Sequence, residues 1–165
     1  MSKRIRQYIG ILCAVLAYYL IHEGAHLLYA LAIGAFRQIH VLGLGVQIDV
    51  WPERMAETQM GIFCLAGAAA TQLTGWALTA LSGGIARARS KPLRGAAYYV
   101  TLAMLVLDPL YLSALCSLFG GGDMNGISLL VPQAAARAGF GVLLAVNALL
   151  FWKIVLPRYR AGSWD

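Results

Sequence analysis

Four long apolar segments alternate with short polar segments along the chain. The apolar segments run roughly over Tyr8–Ile33, Thr58–Leu81, Ala96–Phe119 and Ala134–Leu156. Each is long enough to cross a bilayer as a helix, which needs about 20 apolar residues. The pattern therefore predicts an all-α integral membrane protein with about four transmembrane helices, built as a single membrane-embedded domain over residues 1–165.

Two of the connecting segments depart from the helical pattern. Gln38–Val50 is rich in β-branched side chains and alternates in part, which predicts a short hairpin that turns near Gly43 or Gly45. Gly120–Val131 begins with three glycines, so we expect a re-entrant or irregular loop before the last span. Non-helical backbone at membrane depth is tolerated only where protein or water shields it.

The composition agrees with a membrane protein. Hydrophobic residues make up 60% of the 165 residues and charged residues only 12%, about half the charged share of soluble domains. The net charge of +6 does not predict nucleic-acid binding, because ten of the 13 basic residues fall in three groups that flank the apolar segments. The groups are Lys3, Arg4 and Arg6, then Arg87, Arg89, Lys91 and Arg94, and finally Lys153, Arg158 and Arg160.

The three basic groups predict the topology. Short loops rich in lysine and arginine stay on the cytoplasmic side, and all three groups share that side only if two spans separate each from the next. We therefore expect an integral multi-pass protein of the cell (inner) membrane with cytoplasmic N and C termini. No cleavable signal peptide is predicted, because the first apolar segment is too long for one. Cys13, Cys64 and Cys116 lie in apolar segments and are expected to be packing residues.

The residues that carry chemistry lie inside the first apolar segment. Apart from tyrosine and cysteine, His22, Glu23 and His26 are the only ionisable residues from Tyr8 to Phe36. Residues four apart lie on one face of a helix, so both histidines can face one metal ion. The adjacent glutamate can then take a proton from a metal-bound water. A carboxylate at membrane depth costs roughly 2.5 kcal/mol or more, which makes it a functional candidate by default.

Other interpretations of this cluster remain open. Histidine and glutamate can join helices by hydrogen bonds in a purely structural membrane protein, but the H-E-x-x-H order favours a metal site. Haem ligation by the pair is disfavoured, because histidines four apart on one helix cannot bind opposite faces of one haem. His40, the third histidine, follows the apolar segment close to Arg37 and is expected at the membrane interface.

A third metal ligand has to come from another part of the chain, since catalytic zinc usually has three protein ligands and a water. The longer metzincin motif is excluded, because Tyr29 stands where that motif has glycine. The candidates are the carboxylates of Asp108 and Asp123, with Glu53 and Glu57 ranked below them because they lie in a polar segment.

Taken together, the motifs resemble the site-2 protease family of intramembrane zinc metalloproteases. In that family the H-E-x-x-H of a first span is followed by a hairpin-like segment. Leu65–Gln72 is similar to the family's Ala-Gly-Pro run ending in Asn, with Ala68 and Gln72 in place of Pro and Asn. Leu118–Gly126 is a loose counterpart of its Leu-Asp-Gly element, whose aspartate is the third zinc ligand.

The resemblance implies a zinc-dependent intramembrane endopeptidase that hydrolyses membrane-protein or peptide substrates within or near the bilayer. It implies one Zn²⁺ per chain and a minimal core without an accessory domain. The alternative function is a non-proteolytic metal-binding membrane protein, such as an inactive relative, a chaperone or a transporter.

The same resemblance assigns roles to individual residues. His22, His26 and Asp123 are expected to hold the zinc, with Asp108 as the alternative third ligand. Glu23 is expected to be the catalytic base. The polar residues expected to orient the substrate or the ligands are Gln72 and Asn125.

Overall fold

The computed structural model describes residues 2–42 and 45–161 of the chain. Long helices dominate this part of the chain, and a short two-stranded sheet follows the first of them. In chain order, the elements are helix α1 (Lys3–Ala32), strands β1 (Phe36–Leu42) and β2 (Gly45–Val50), and helices α2 (Glu57–Ile85), α3 (Lys91–Leu110), α4 (Asp123–Ile127), α5 (Gln133–Leu150) and α6 (Leu156–Ala161).

Within the described residues, four continuous helical stretches are long and apolar enough to cross a membrane. Two of them join more than one element, since a π-helical turn at Tyr111–Leu115 extends α3 and another at Phe151–Val155 joins α5 to α6. The predicted all-α membrane fold with four spans is therefore confirmed. Each helix extends a few residues past its predicted apolar run, because residues at the polar ends continue the backbone hydrogen bonding. The four stretches are Arg4–Ala32, Glu57–Ile85, Lys91–Phe119 and Gln133–Ala161.

The predicted hairpin is also confirmed. Strands β1 and β2 pair antiparallel, with Ile39 opposite Ile48 and Val41 opposite Val46. Alternation along each strand puts these four apolar side chains on one face of the sheet. Of the two predicted turn positions, Gly45 is the first residue of β2, and Gly43 lies outside the described residues.

The segment before the last span differs from the prediction in one respect, because it contains the short helix α4. Gly120, Gly121 and Gly122 have φ angles of 79°, 89° and 45°. Residues with a side chain rarely adopt such angles, so three consecutive glycines are what this turn requires. The turn ends the long third span and starts α4 at Asp123.

Helix α2 lies at the centre of the packing and approaches its neighbours through glycines. Gly61 faces Leu130, and Gly75 faces Leu105 of α3. Small residues let membrane helices come close enough for tight van der Waals contact. The buried cluster that includes Phe63 of α2 and Met124 of α4 then fills the space beside the hairpin.

Candidate metal centre

Three side chains from two distant segments converge at one point in the fold. His22 and His26 lie one turn apart on α1, and Asp123 is the first residue of α4. The two histidine Nε2 atoms are 3.1 Å apart. Asp123 Oδ2 lies 3.2 Å from His22 Nε2 and 3.6 Å from His26 Nε2. Both histidines are buried and the Asp123 side chain is 23% exposed, so the three groups face one another at the edge of the packed interior.

The hydrogen bonds on the far side of each imidazole fix where its lone pair points. His26 Nδ1 lies 2.7 Å from the carbonyl oxygen of Phe63, and His22 Nδ1 lies 3.2 Å from a carboxylate oxygen of Asp108. A carbonyl or an ionised carboxylate only accepts, so Nδ1 carries the proton in each neutral ring. The Nε2 atoms of both rings are then free to bind a metal.

The resulting triangle of donors fits a zinc ion. These three atoms lie within 3.1–3.6 Å of one another, so a proton on one imidazole Nε2 can hydrogen-bond to the Asp123 carboxylate, and a bound cation would take the place of that proton. Zinc bonds of 2.0–2.2 Å in a tetrahedral arrangement place neighbouring donors about 3.3 Å apart. Two imidazoles and one carboxylate are also a ligand set that zinc accepts, with a fourth position left for water or substrate.

Asp108 belongs to the surroundings of the triangle and not to the triangle itself. Its carboxylate contacts His22 on the Nδ1 side, opposite the nitrogen that faces Asp123. It also accepts hydrogen bonds from the hydroxyl groups of Tyr18 and Thr71. Such carboxylate–histidine pairs fix the orientation of a metal-binding ring and raise its basicity. The geometry therefore brings Asp123, of the two predicted alternatives, into the donor group.

The Asp123 carboxyl is held in its ionised form. Burial by itself would raise the pKa of this group, but hydrogen bonds from His22 and His26 in their protonated forms, and the positive charge of these rings, outweigh it and lower the pKa to about 2. A carboxyl has to be ionised to bind a metal. Asp123 is thus prepared as a ligand over the whole physiological pH range.

Glu23 is next to the donor triangle in a cavity of about 550 Å³. It is half-buried, shares the cavity lining with His26 and Asp123, and faces the backbone of Ile48 in β2. The rest of the lining comes from the hairpin, from α2, from the π-helical turn that extends α3 and from the turn before α4. Those residues are Val46, Gln47, Ile48, Asp49, Val50, Met60, Phe63, Cys64, Tyr111 and Gly122.

The small-residue centre of α2 packs directly against the histidine pair. A Cβ atom at Gly67 would lie 2.6 Å from His26 Nε2 and 2.7 Å from His22 Nε2. Any larger residue would displace the two rings, because real contacts are never that short. One turn later, Thr71 reaches Asp108. The segment Leu65–Gln72 thus contacts the site, and the residues that make the contacts are Gly67 and Thr71.

The other residues assigned a role from the sequence lie elsewhere. Gln72 donates from Nε2 to the Met104 carbonyl oxygen, 2.7 Å away, and takes part in helix packing. Asn125 is exposed and donates to the Gly120 carbonyl oxygen, so it stabilises the glycine turn. His40 pairs with Asp49 on the polar face of the hairpin at 3.2 Å, in keeping with its predicted place outside the metal site.

Sequence reasoning missed Tyr18 and Thr71 as partners of Asp108. A signal was present for the tyrosine, since it precedes His22 by four residues and lies on the same helix face. In chemical terms, the centre offers three metal donors, an adjacent carboxylate that can move a proton, and an open cavity beside both. Comparison of the chain with protein-family models, curated proteins and solved structures found no match in any of the three.

Proposed function

We propose that the chain is a zinc-dependent intramembrane endopeptidase of the site-2 protease type. One observation carries the proposal: the metal-donor atoms of His22, His26 and Asp123 converge beside Glu23 in a cavity among the membrane spans. A structural polar cluster has no need of a further carboxylate and an open cavity next to three convergent metal-donor groups. Hydrolysis needs both.

The roles of the residues follow from their chemistry. When bound, zinc supplies a Lewis acid that lowers the pKa of a water to about 7 and polarises a carbonyl. Glu23 accepts the proton of the attacking water and returns it to the leaving amine nitrogen. The water oxygen bonds to the carbonyl carbon, and the C–N bond of the peptide breaks. Asp108, with Tyr18 and Thr71, holds His22 in orientation.

The substrate class follows from the walls of the cavity. Residues Val46–Val50, nearly the whole of β2, line one side of it. A strand next to a catalytic cavity favours an extended peptide, which can bind through backbone hydrogen bonds. The amide bonds of a helix are shielded by their own hydrogen bonds. The substrate is therefore a membrane-protein segment that is unwound at the cleavage site.

The proposed cellular setting is the inner membrane, with both termini in the cytoplasm. Gly10 of α1 packs against the backbone of Gly95 near the start of α3, and Arg158 of α6 reaches the carbonyl oxygen of Thr79 near the end of α2. The three basic groups therefore lie at one end of the molecule. Such an end is retained on the cytoplasmic side in most membrane proteins.

The decisive experiment measures metal content and cleavage on the same purified samples in detergent. Wild type, His22→Ala and Glu23→Gln are compared for zinc per chain, and for hydrolysis of casein and of a panel of labelled single-span peptides. We expect about one zinc per chain in wild type and Glu23→Gln and none in His22→Ala. Hydrolysis should fall by a factor of at least about 100 in Glu23→Gln, because general-base catalysis contributes that much or more.

The controls distinguish the outcomes. Gly24→Ala alters the neighbour of Glu23 without a clash, since a Cβ there meets no atom within 4 Å; it should keep zinc and activity. Zinc binding without cleavage of any substrate would replace the proposal with a non-proteolytic metal protein. Equal cleavage by wild type and Glu23→Gln would exclude the mechanism, and folded wild type without metal would leave a structural polar cluster.

A further inference from the structure

A second cavity, of about 370 Å³, lies at the basic end of the molecule, where the last turns of α2 meet α6. It shares no lining residue with the cavity beside Glu23. Four of its lining residues are glycine or alanine, which leaves room above the helix surface, and the other two are arginines. The residues are Ala80, Gly83, Ala86, Arg87, Arg158 and Ala161.

The two arginines have unused hydrogen-bonding capacity. Arg158 donates from Nη1 to the Thr79 carbonyl oxygen at 3.1 Å and to Ser82 Oγ at 2.8 Å. These contacts fix the guanidinium, while its Nε and Nη2 groups have no partner within residues 2–42 and 45–161. The Arg87 side chain also has no hydrogen-bond or ion-pair partner among the described residues. No aspartate or glutamate of the described residues lines the cavity.

The arrangement of Arg87 and Arg158 indicates the chemical class of ligand that they could bind. A guanidinium presents a planar set of N–H donors that matches two oxygens of a phosphate or carboxylate. The cavity opens beside lipid-facing side chains, since Leu81 is 62% exposed next to Ala80. A lipid anion that reaches this position from the bilayer would place its charged phosphate group at the arginines and its acyl chains alongside the helices.

We propose that the cavity between α2 and α6 binds a phosphate group through Arg87 and Arg158, and that an anionic phospholipid headgroup supplies it. The lipid would anchor the end of the molecule where the chain leaves the membrane. The inference does not depend on the proposed peptidase activity, because the two cavities are separate.

The test is lipid retention by the full-length protein. The protein is reconstituted in nanodiscs that contain phosphatidylglycerol and phosphatidylcholine, extracted in detergent, and examined by native mass spectrometry for co-purified phosphatidylglycerol. Arg87→Gln and Arg158→Gln should each lower the retained phosphatidylglycerol about tenfold, the effect of one lost charge-assisted contact. Arg89→Gln is the matched control, because it removes the same charge nearby from a residue that does not line the cavity.

Each outcome bears on the proposal. An equal loss in Arg89→Gln would show a diffuse charge attraction and overturn the site, and so would unchanged retention in both cavity variants. A second arm uses inorganic phosphate: binding that depends on Arg87 and Arg158 without lipid retention would keep the phosphate site and exclude the lipid. Arg87→Gln guards against misfolding, because it removes no contact within the described residues, whereas Arg158→Gln removes two.

Discussion

His22 uses both of its ring nitrogens, and the two aspartates that contact it have different roles. Nε2 faces Asp123 at 3.2 Å and Nδ1 faces Asp108 at 3.2 Å. Only the first of these carboxylates also approaches His26. The orientation of a single imidazole thus separates a carboxylate in the candidate donor group from one that holds the His22 ring in place, a distinction that total charge near the site does not reveal.

This distinction predicts different metal affinities for two matched variants. Asp123→Asn should remove zinc from the purified protein, because a neutral amide replaces a ligand. Asp108→Asn should retain zinc but bind it about 10–100-fold more weakly, the usual effect of losing the group that orients a histidine ligand. Competition with a chelator in detergent measures both.

Asp49→Asn serves as the control for these two variants. Its carboxylate lines the cavity beside Glu23 but is not in the donor group, so its zinc affinity should match wild type. The assignment would be reversed if Asp108→Asn lost its zinc while Asp123→Asn kept it.

The sequence supplied the residues of the helical motif but not the choice between the aspartates. His22, Glu23 and His26 are local in sequence, so helix geometry alone predicts their common surroundings. Asp123 reaches the site only because of the glycine turn before α4, and no periodicity encodes that path. Both aspartates are candidates from the sequence, and the orientation of the His22 ring decides between them.

At the level of the elements, the third span is held at its proline by side chains from two other spans. Pro109 has no N–H, so the Leu105 carbonyl oxygen four residues earlier loses its helical partner. Asn147 of α5 donates to that oxygen at 2.8 Å and to Gln72 Oε1 at 2.6 Å, while its own oxygen accepts from Trp76 Nε1 at 3.0 Å. The interruption in α3 is thus compensated by a polar network.

We expect Asn147→Leu to destabilise the protein by about 2 kcal/mol. It would leave the Leu105 carbonyl and the Gln72 and Trp76 side chains without the partners they have here, and an unmet buried polar group costs about 1–3 kcal/mol. Hydrogen bonds between membrane helices are individually weak, about 0.6 kcal/mol, so the sum over three contacts supports the lower part of that range. The midpoint of thermal unfolding in detergent measures the change.

Val146→Leu is the control for this variant, because Val146 precedes Asn147 in the same helix and is 46% exposed toward lipid. Its unfolding midpoint should equal that of wild type. An unchanged midpoint in Asn147→Leu would mean that the network contributes nothing to stability.

The helices and strands were largely predictable from hydropathy, because a long apolar segment in a bilayer has to satisfy its own backbone hydrogen bonds. Every backbone group in a bilayer needs an internal partner, so long apolar runs become helices, and four of them did. The helix α4 and the π-helical turn after Leu110 were not predictable. The helix α4 depends on positive φ angles at consecutive glycines, which hydropathy does not encode, and nothing in the sequence pattern indicates the π-helical turn.

For the whole molecule, the ends of the spans define the orientation. Arg94 at the start of α3 donates to the Ala86 carbonyl oxygen beyond α2, and Arg158 lies against the end of α2. The hairpin and the metal centre occupy the other part of the bundle. The basic end and the end with the hairpin therefore lie at opposite ends of the bundle.

Reporter fusions test this orientation. Green fluorescent protein fused after residue 165 should be fluorescent in a bacterial host, and alkaline phosphatase fused there should be inactive, because the basic end is predicted to stay in the cytoplasm. Fusions after Arg54, which follows the hairpin, should give the opposite pair of results. Fluorescent protein active at both positions would contradict the four-span topology.

Because the three metal donors come from distant parts of the chain, metal binding would be coupled to folding. His22 and Asp123 are 101 positions apart, and they meet only when the glycine turn before α4 has formed. A ligand that binds only this folded arrangement stabilises it by mass action, by about 4 kcal/mol at a free concentration a thousandfold above its dissociation constant. The chain would then be least stable just after synthesis, before it acquires its ion. Metal supply would control how much of the protein survives in the membrane, quite apart from its effect on catalysis.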